Sequence, residues 1–565
     1  MNLNIKAVKA VTYDAIVVGS GISGGWAAKE LCEKGLKTLV LERGRDVKHI
    51  KDYSTAMKNP WDFEHKLHKT RRDMEENPIQ SQSYNEGSKH FYVNDKEHPY
   101  IQDKPFNWIR GYQVGGRSLT WGRQCYRLSD LDFEANLKEG IAVDWPIRYK
   151  DIAPWYSYVE SFVGISGRNE GLDHLPDGNF LPAIEFNCIE DYFSEEIKGK
   201  YKDRIVTPGR AANLTQALNG RGPCQFRNLC DRGCPFSGYF SSNSATLPAA
   251  METGNMTLRP NSIVSEVLYD KDKEKAIGVR VIDAESLEVV EYYAKIIFMN
   301  ASTIATAAIL LNSKSDSFPD GLGNSSGQLG HNLMDHFVIA GAEGEHFGFM
   351  DKYYSGRNPS CIYIPRFRNI NEETNQKKYV RGFAYQGYGE RAGWEDHYMN
   401  TEGFGEEYKK KLLHAGVWKL WIGAWGETLP YYSNAIKLDN EKDKWGMPLV
   451  RVSFEYHENE ENMRKDIKES AFEMLDATGF KNVKTFDYKR PGGSAVHEMG
   501  TARMGRDPKT SVLNGNNQMH DVKNVFITDG SCMTSSACQN PSLTYMALTA
   551  KACDYAATEL KKGNL

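Results

Sequence analysis

Apolar and polar positions change period several times along this chain, and the changes lay out its elements. Ala15 to Val18 form a short apolar run of the kind a strand buried on both faces shows. A G-x-G-x-x-G turn follows at Gly19, Gly21 and Gly24, then Ala27, Ala28 and Leu31 recur at helical spacing, and a second apolar run ends in Glu42. From about 45 to 105 the periodicity dissolves into a polar, charged excursion with helical pieces. A second glycine-rich loop, GYQVGGRSLTWG, covers 111–122, and 142–167 carries a helix with Trp155, Tyr158, Val159 and Phe162 at helical spacing. Residues 257–300 alternate in the manner of an antiparallel meander, and a small-residue helix follows over 301–313. Aromatic-rich strands and loops fill about 337 to 490, with an amphipathic helix around 457–478. KNVFITDGSCM (523–533) reads as strand then turn, and a last helix begins near Ser542. No internal repeat or low-complexity linker divides the chain, so the region from 337 reads as inserted within the first fold.

The glycine turn carries the first chemistry. Gly19 permits the tight turn, Gly21 lets the backbone approach a pyrophosphate, and Gly24 lets helix and strand pack closely. The helix N-terminus offers free N–H groups to that pyrophosphate. Glu42, 18 residues beyond Gly24, can accept hydrogen bonds from adenosine ribose hydroxyls. Glycine-rich turns are common on their own; here strand, turn, helix, strand and acid arrive in order. The pattern predicts a bound dinucleotide, and NAD would satisfy it as well as FAD.

Composition narrows the class. The charged fraction of 25% and hydrophobic fraction of 40% are those of a globular protein. A net charge of −4 gives no bias towards nucleic acid or anionic membrane. No run approaches the roughly 18 apolar residues of a membrane span. The N-terminal stretch reaches the first strand too soon for a signal peptide. The expectation is a cytoplasmic chain, or a periplasmic one if exported folded with a partner subunit. Ten cysteines are too few for a disulfide scaffold, and Cys32, Cys125, Cys361 and Cys553 stand alone.

Two constellations remain. His497, in VHEMGT, precedes Asn540, in CQNPSL, by 43 residues, with the strand and TDG turn around Asp529 between them. Alone, the His beside a glycine turn reads as structural and Asn-Pro as a helix start. The second constellation is Cys224-x5-Cys230-x3-Cys234-Pro235. Its spacing resembles an iron–sulfur loop more than a zinc site, which would want a fourth nearby ligand. Free thiols or a redox pair are the other reading. In 416–432, Trp418, Trp421, Trp425, Tyr431 and Tyr432 could stack on sugar C–H faces and Glu427 could bind hydroxyls. The same alternation also fits sheet core, with Glu427 purely structural.

The chain resembles the glucose–methanol–choline (GMC) flavoprotein oxidoreductases. The ordered matches are GSGISG with Glu42, VGGRSLTWG, the 142–167 segment, 301–336 with SSGQLGHNLMDH, WGETLPYYSNAIKLD, HEMGTARMG and ITDGSCMTSSACQNPSLTYMAL. Within the family the pattern is closest to sugar dehydrogenases of the glucoside, gluconate and fructose type and to pyranose oxidases.

The resemblance implies an α/β fold (α+β overall): a doubly wound, Rossmann-type FAD-binding domain with an inserted antiparallel-sheet substrate domain. The corresponding segments are 1–335, with the excursion 45–105 and the cysteine loop 222–236, then 336–490 for the substrate domain and 491–565 closing the first. It implies FAD against Gly115, Gly116 and Ser118, with Val264 at the adenine and Asp529 near the pyrophosphate. Thr120 stands where some relatives carry FAD covalently on a His, so the FAD here is expected to be non-covalent. Imidazole can accept a hydroxyl proton near neutral pH and an amide cannot, so His497 is the expected base and Asn540 the group that holds the substrate oxygen.

By the same resemblance, Cys224, Cys230 and Cys234 would hold a [3Fe–4S] cluster. The substrate would be a pyranose or glycoside oxidised at a ring hydroxyl, C3 being favoured. A small partner subunit and a cytochrome or quinone would take the electrons. The competing readings are an O2-using sugar oxidase, a gluconate or polyol dehydrogenase, an enzyme for a non-carbohydrate alcohol or sterol, and a catalytically inactive flavoprotein scaffold.

Overall fold

The computed structural model describes residues 12–352, 356–391, 401–413 and 416–565. The N-terminal stretch read above for a signal peptide lies largely outside them. In the central sheet, Thr12–Val18 runs parallel to Thr38–Leu41 on one side and to Val289–Met299 on the other. Met256–Arg259 and Val525–Ile527 extend it, both in parallel. The absence of alternation in the first strand has a direct cause. Ala15 and Val17 join a core with Ala27, Ala28 and Leu31 of helix Ile22–Glu33 and with Ala552 and Ala556 of helix Ser542–Lys561. Ile16 and Val18 join the larger core on the opposite face.

Ser262–Asp270, Lys275–Asp283 and Val289–Met299 form the antiparallel meander. Its expected first segment, Met256–Arg259, instead completes the free edge of Thr38–Leu41. Helix Tyr149–Val163 buries Ile152, Tyr156, Val159 and Val163. The stripe expected on that helix is offset from this face, and Tyr158 and Phe162 meet Trp26 edge-on instead.

The second sheet is antiparallel, in the order Lys481–Asp487, Phe337–His346, Trp418–Gly426, Phe383–Arg391, Ile362–Ile364, Thr207–Pro208. Helix Glu458–Ala477 packs Met463, Ile467, Ala471 and Met474 into its core, and helix Cys188–Lys200 adds Ile189, Phe193 and Ile197. The inserted unit is therefore not the single segment 336–490. Residues 188–208 belong to its core, because a one-sided sheet needs helices to cover it. Conversely, Ala435–Lys442 and Pro448–Ser453 pair with each other, and the latter with Ile101–Gln102, and they deliver Ile436, Val450 and Val452 to the central core. Among the described residues, no helix is long and apolar enough to cross a membrane.

Candidate active site

One cavity of about 510 Å³ runs from the glycine turn to His497 and Asn540. At its first end, Gly19 sits at φ +97°, and a Cβ there would come within 2.3 Å of the Asn300 carbonyl oxygen. A Cβ on Gly24 would lie 2.0 Å from the Gly19 carbonyl oxygen. Gly21 differs, since a Cβ there would meet nothing within 4 Å and the residue lines the cavity. The helix Ile22–Glu33 has no side-chain cap, and Ile22 and Ser23 line the cavity, so first-turn N–H groups face it unclaimed. The buried Asn300 Nδ2, also at the wall, has no protein partner, while Thr528 Oγ1 donates to its Oδ1 at 2.8 Å. A side-chain-free strip beside unclaimed N–H donors fits a pyrophosphate.

Glu42 lines the same end, and Leu41 and Val264 supply apolar wall beside it. Its carboxylate accepts from Ser20 Oγ at 2.6 Å, Ser20 N at 3.1 Å and Gly44 N at 2.9 Å. Burial pushes its pKa up despite these donors. Oε1, which accepts only from Gly44 N, keeps lone-pair capacity for a further donor. Asp529 plays a matching part further along, accepting from Ser531 N at 3.0 Å and Thr306 Oγ1 at 2.6 Å, and burial raises it likewise. It pins the start of helix Thr303–Asn312 at the cavity wall. The loop 115–118 crosses the glycine turn. Gly115 N donates to Ser20 Oγ at 3.0 Å, a Gly116 Cβ would lie 3.3 Å from Gly21 Cα, and Ser118 Oγ donates to the Gly115 carbonyl at 2.6 Å. Gly116, Ser118 and Thr120 line the cavity; Gly115 lies behind it against Asn243.

At the other end the hydrogen bonds fix a protonation pattern. Ala537, held at φ +55°, aims its carbonyl at His336 Nε2, 2.7 Å away. A carbonyl only accepts, so His336 carries its proton on Nε2 and offers the lone pair of Nδ1. That lone pair faces His497 Nδ1 at 2.9 Å. His497 therefore carries its proton on Nδ1, leaving the Nε2 lone pair free towards Asn540 Nδ2 at 3.4 Å. Both rings are neutral. Burial lowers His336 to about 4. Burial first, then the neighbouring His336 and Arg117, hold His497 well below its usual value. The loop that carries His497 hangs on Asp335, which accepts from His497 N at 3.0 Å and Ala495 N at 3.1 Å. Burial, with Glu498 nearby, raises Asp335 to about 7. Arg117 lines the cavity and donates to Glu498 Oε2 at 2.6 Å, tying the 115–118 loop to the loop that carries His497. Gln386, from the substrate sheet, donates to Asn540 Oδ1 at 2.6 Å.

Sequence reasoning missed His336, Asp335, Arg117 and Gln386 as site residues. The MDH segment lay inside a stretch that carried the resemblance, yet nothing local marks its His as a neighbour of a residue 161 positions later.

The substrate residues named from 416–432 need correcting. Trp418 is fully buried in the sheet core, where its Nε1 donates to Phe349 O, and Glu427 is 1% exposed and paired with Arg381 at 3.1 Å. Neither reaches the cavity, because both point to the packed side of the sheet or into its edge network. Trp421 stacks between Tyr388 and Phe486 at 5.5 and 5.3 Å. By register, Trp421 and Trp425 share the sheet face that carries Gln386, though neither lines the cavity. Tyr431 donates to Glu460, and Tyr432 stacks on His331. The cavity lining includes the polar residues Gln82, Ser83, Gln124, Arg490 and Ser494.

Cys224, Cys230 and Cys234 are half-buried free thiols in one loop. Phe226 N donates to Cys224 Sγ at 3.4 Å, and Gly238 N donates to Cys234 Sγ at 3.3 Å. Burial raises Cys224 and Cys230, and the neighbouring thiols add to it. Among the described residues, no group of three His, Cys, Asp or Glu side chains is already gathered as a metal site.

Residues 194–338 and 430–549 match two family models, both described as GMC oxidoreductase. The chain is 28% identical to 2-methyl-1,2-propanediol dehydrogenase of Mycolicibacterium austroafricanum, over 96% of this chain and 94% of that protein. It is 26% identical to the fructose dehydrogenase large subunit of Gluconobacter japonicus, over 98% and 99%. It is 24% identical to the gluconate 2-dehydrogenase flavoprotein of Pantoea cypripedii, over 95% and 92%. Among solved structures, pyridoxine 4-oxidase from Mesorbium loti superposes with a TM-score of 0.61 at 16% identity, covering 96% of this chain and 98% of that one.

Proposed function

The chain belongs to the GMC oxidoreductases and is a FAD-dependent enzyme acting on CH–OH groups, and from that premise we propose its substrate and acceptor. The substrate is a pyranose or glycoside oxidised at a secondary ring hydroxyl, C3 being favoured, and the electrons pass to an external acceptor and not to O2. The observation that carries the alcohol chemistry is the free Nε2 lone pair of His497 facing the Asn540 amide at the far end of the cofactor cavity. The polar lining residues Gln82, Ser83, Gln124, Arg490 and Ser494 support a substrate with several hydroxyls. Two of the relatives are named for sugar or sugar-acid oxidation. The diol dehydrogenase among them favours a second reading, a small branched diol.

His497 Nε2 accepts the hydroxyl proton, and Asn540 Nδ2–H donates to the oxygen as negative charge develops on it. The imidazolium formed keeps its Nδ1–H on the His336 lone pair, which disperses its charge in a site where burial disfavours that charge. Asp335 fixes the backbone of the His497 loop, so the ring cannot drift from the oxygen. FAD bound along the glycine turn supplies the acceptor for the hydride. Thr120 offers no imidazole nitrogen for a covalent link, so FAD is held non-covalently and is released by acid precipitation.

Anaerobic addition of a panel of glycosides, pyranoses, polyols and small diols, followed by flavin bleaching, tests the substrate. Bleaching by a glycoside with a keto product mapped to C3 is expected. Bleaching by small diols alone would overturn the sugar assignment in favour of the second reading. Dye reduction without stoichiometric peroxide is the expected sign of a dehydrogenase.

The cysteine loop belongs to the same proposal. Amide N–H donors on Cys224 and Cys234, with Arg123 and Arg227 near Cys230, support three thiolate ligands for a [3Fe–4S] cluster. Such a cluster supplies one-electron transfer. Anaerobically purified protein should carry about three irons per chain with acid-labile sulfide; iron-free, fully active protein would refute it. A small partner subunit and a cytochrome or quinone acceptor complete the reading.

A further inference from the structure

The Asn540 side chain presents two ends of equal size and opposite chemistry, and only the Nδ2–H end can donate to a substrate oxygen. Nothing in Asn540 itself selects that end. The selection comes through a line of hydrogen bonds whose direction is set at its inner terminus. The Ala537 carbonyl can only accept, so His336 donates from Nε2 and accepts at Nδ1. His497 then donates from Nδ1 and accepts at Nε2. The Asn540 end facing that lone pair must be Nδ2–H, which turns Oδ1 towards Gln386. Gln386 closes the line by donating from Nε2 to that oxygen at 2.6 Å. It stands in mid-strand, between Tyr363 and Gly423 in register, and is 8% exposed, so its backbone is fixed by the substrate sheet and its side chain is screened from water.

We propose that Gln386 is a positioning residue that, by donating to Oδ1, holds the Asn540 amide with its Nδ2–H end towards the substrate, the orientation the inner line selects. An acceptor at 386 would draw Nδ2–H to itself and turn Asn540 Oδ1 onto the His497 lone pair and the substrate oxygen. Two acceptors would then face each other where the reaction needs a donor. The kinetic form of this inference rests on the alcohol-oxidation reading; the structural form does not.

The test uses FAD-loaded Gln386→Glu and Gln386→Leu beside the parent. The new carboxyl in Gln386→Glu is nearly isosteric with the amide, and burial raises its pKa. Above that pKa it only accepts, and kcat should fall about ten-fold or more. As pH falls through it, the protonated carboxyl donates as Gln386 did, and kcat should climb back towards the parent. The variant thereby gains a limb that rises towards acid, where the parent has none. Gln386→Leu should lose activity without any such limb. A Gln386→Glu profile that matches the parent's, or that falls by the same pH-independent factor as Gln386→Leu, would overturn the proposal.

A second readout needs no substrate. In ring-15N-labelled protein, His497 Nε2 should resonate as an unprotonated nitrogen in the parent and move across the same pH range in Gln386→Glu. No movement would overturn the proposal by itself. If the parent oxidises no alcohol, the functional reading fails while the nitrogen signal still decides the role of Gln386.

Discussion

The two ends of the cavity are built by different means. At the nucleotide end, specificity lies in the backbone: glycines that exclude a Cβ, unclaimed N–H groups, and a carboxylate, Glu42, that pins the turn 22 residues before it. At the catalytic end it lies in side chains brought together from 43, 154 and 161 residues apart, where direction of hydrogen bonding matters as much as distance. The first end is therefore sensitive to volume and tolerant of polarity. The second should tolerate changes of volume better than changes of donor or acceptor. Binding and chemistry can be separated along one cofactor because they depend on different properties of the chain.

Gly24→Val breaks the comparison most severely if it fails. A Cβ placed 2.0 Å from a carbonyl oxygen cannot be relieved by rotating a side chain, so the variant should lose its FAD or fail to fold, read as flavin absorbance per chain. Retention of a full complement of FAD would refute the volume argument. Glu427→Ala is next. It strips one partner from a fully buried Arg381, which keeps Glu139 and Asn136, and should cost about 3 kcal/mol in denaturant unfolding. KM should stay near the parent's; a large KM increase with unchanged stability would return Glu427 to the substrate site.

His336→Leu keeps volume and deletes the acceptor for His497 Nδ1–H, and should lower kcat about ten-fold with FAD intact. An unchanged kcat would show that the imidazolium needs no such partner. The smallest effect is in pH. The base must be neutral to work, and burial lowers the His497 pKa, so activity should hold as pH falls through 6.5 and decline only below it. An acid limb of kcat/KM centred at or above 6.5 would contradict the buried, neutral pair.

Local order made part of this readable from the chain. The glycine turn, Glu42 and the parallel strands announce themselves within thirty residues, because backbone geometry restricts residue type there. HEMG and QNP were visible as words, and the family pattern tied them to one site. Period-two alternation across 418–425 correctly makes a strand but cannot say which face is covered, so sugar stacking and sheet core both stay open for Trp418; it lies in the core shared with helix Glu458–Ala477. His336 and Gln386 left no local trace. Each sits in a strand or loop with no special backbone, and its role arises only when sheets far apart in sequence close on Asn540 and His497.

The central claim is that His497 Nε2 is the base that removes the substrate proton beside FAD it does not help to bind. Anaerobic flavin reduction by a substrate that bleaches the parent, measured in His497→Ala at matched FAD content, tests it most directly. The account predicts a full complement of FAD and reduction slowed by ~10²-fold or more. Reduction within a few-fold of the parent, with FAD equally bound, would contradict it.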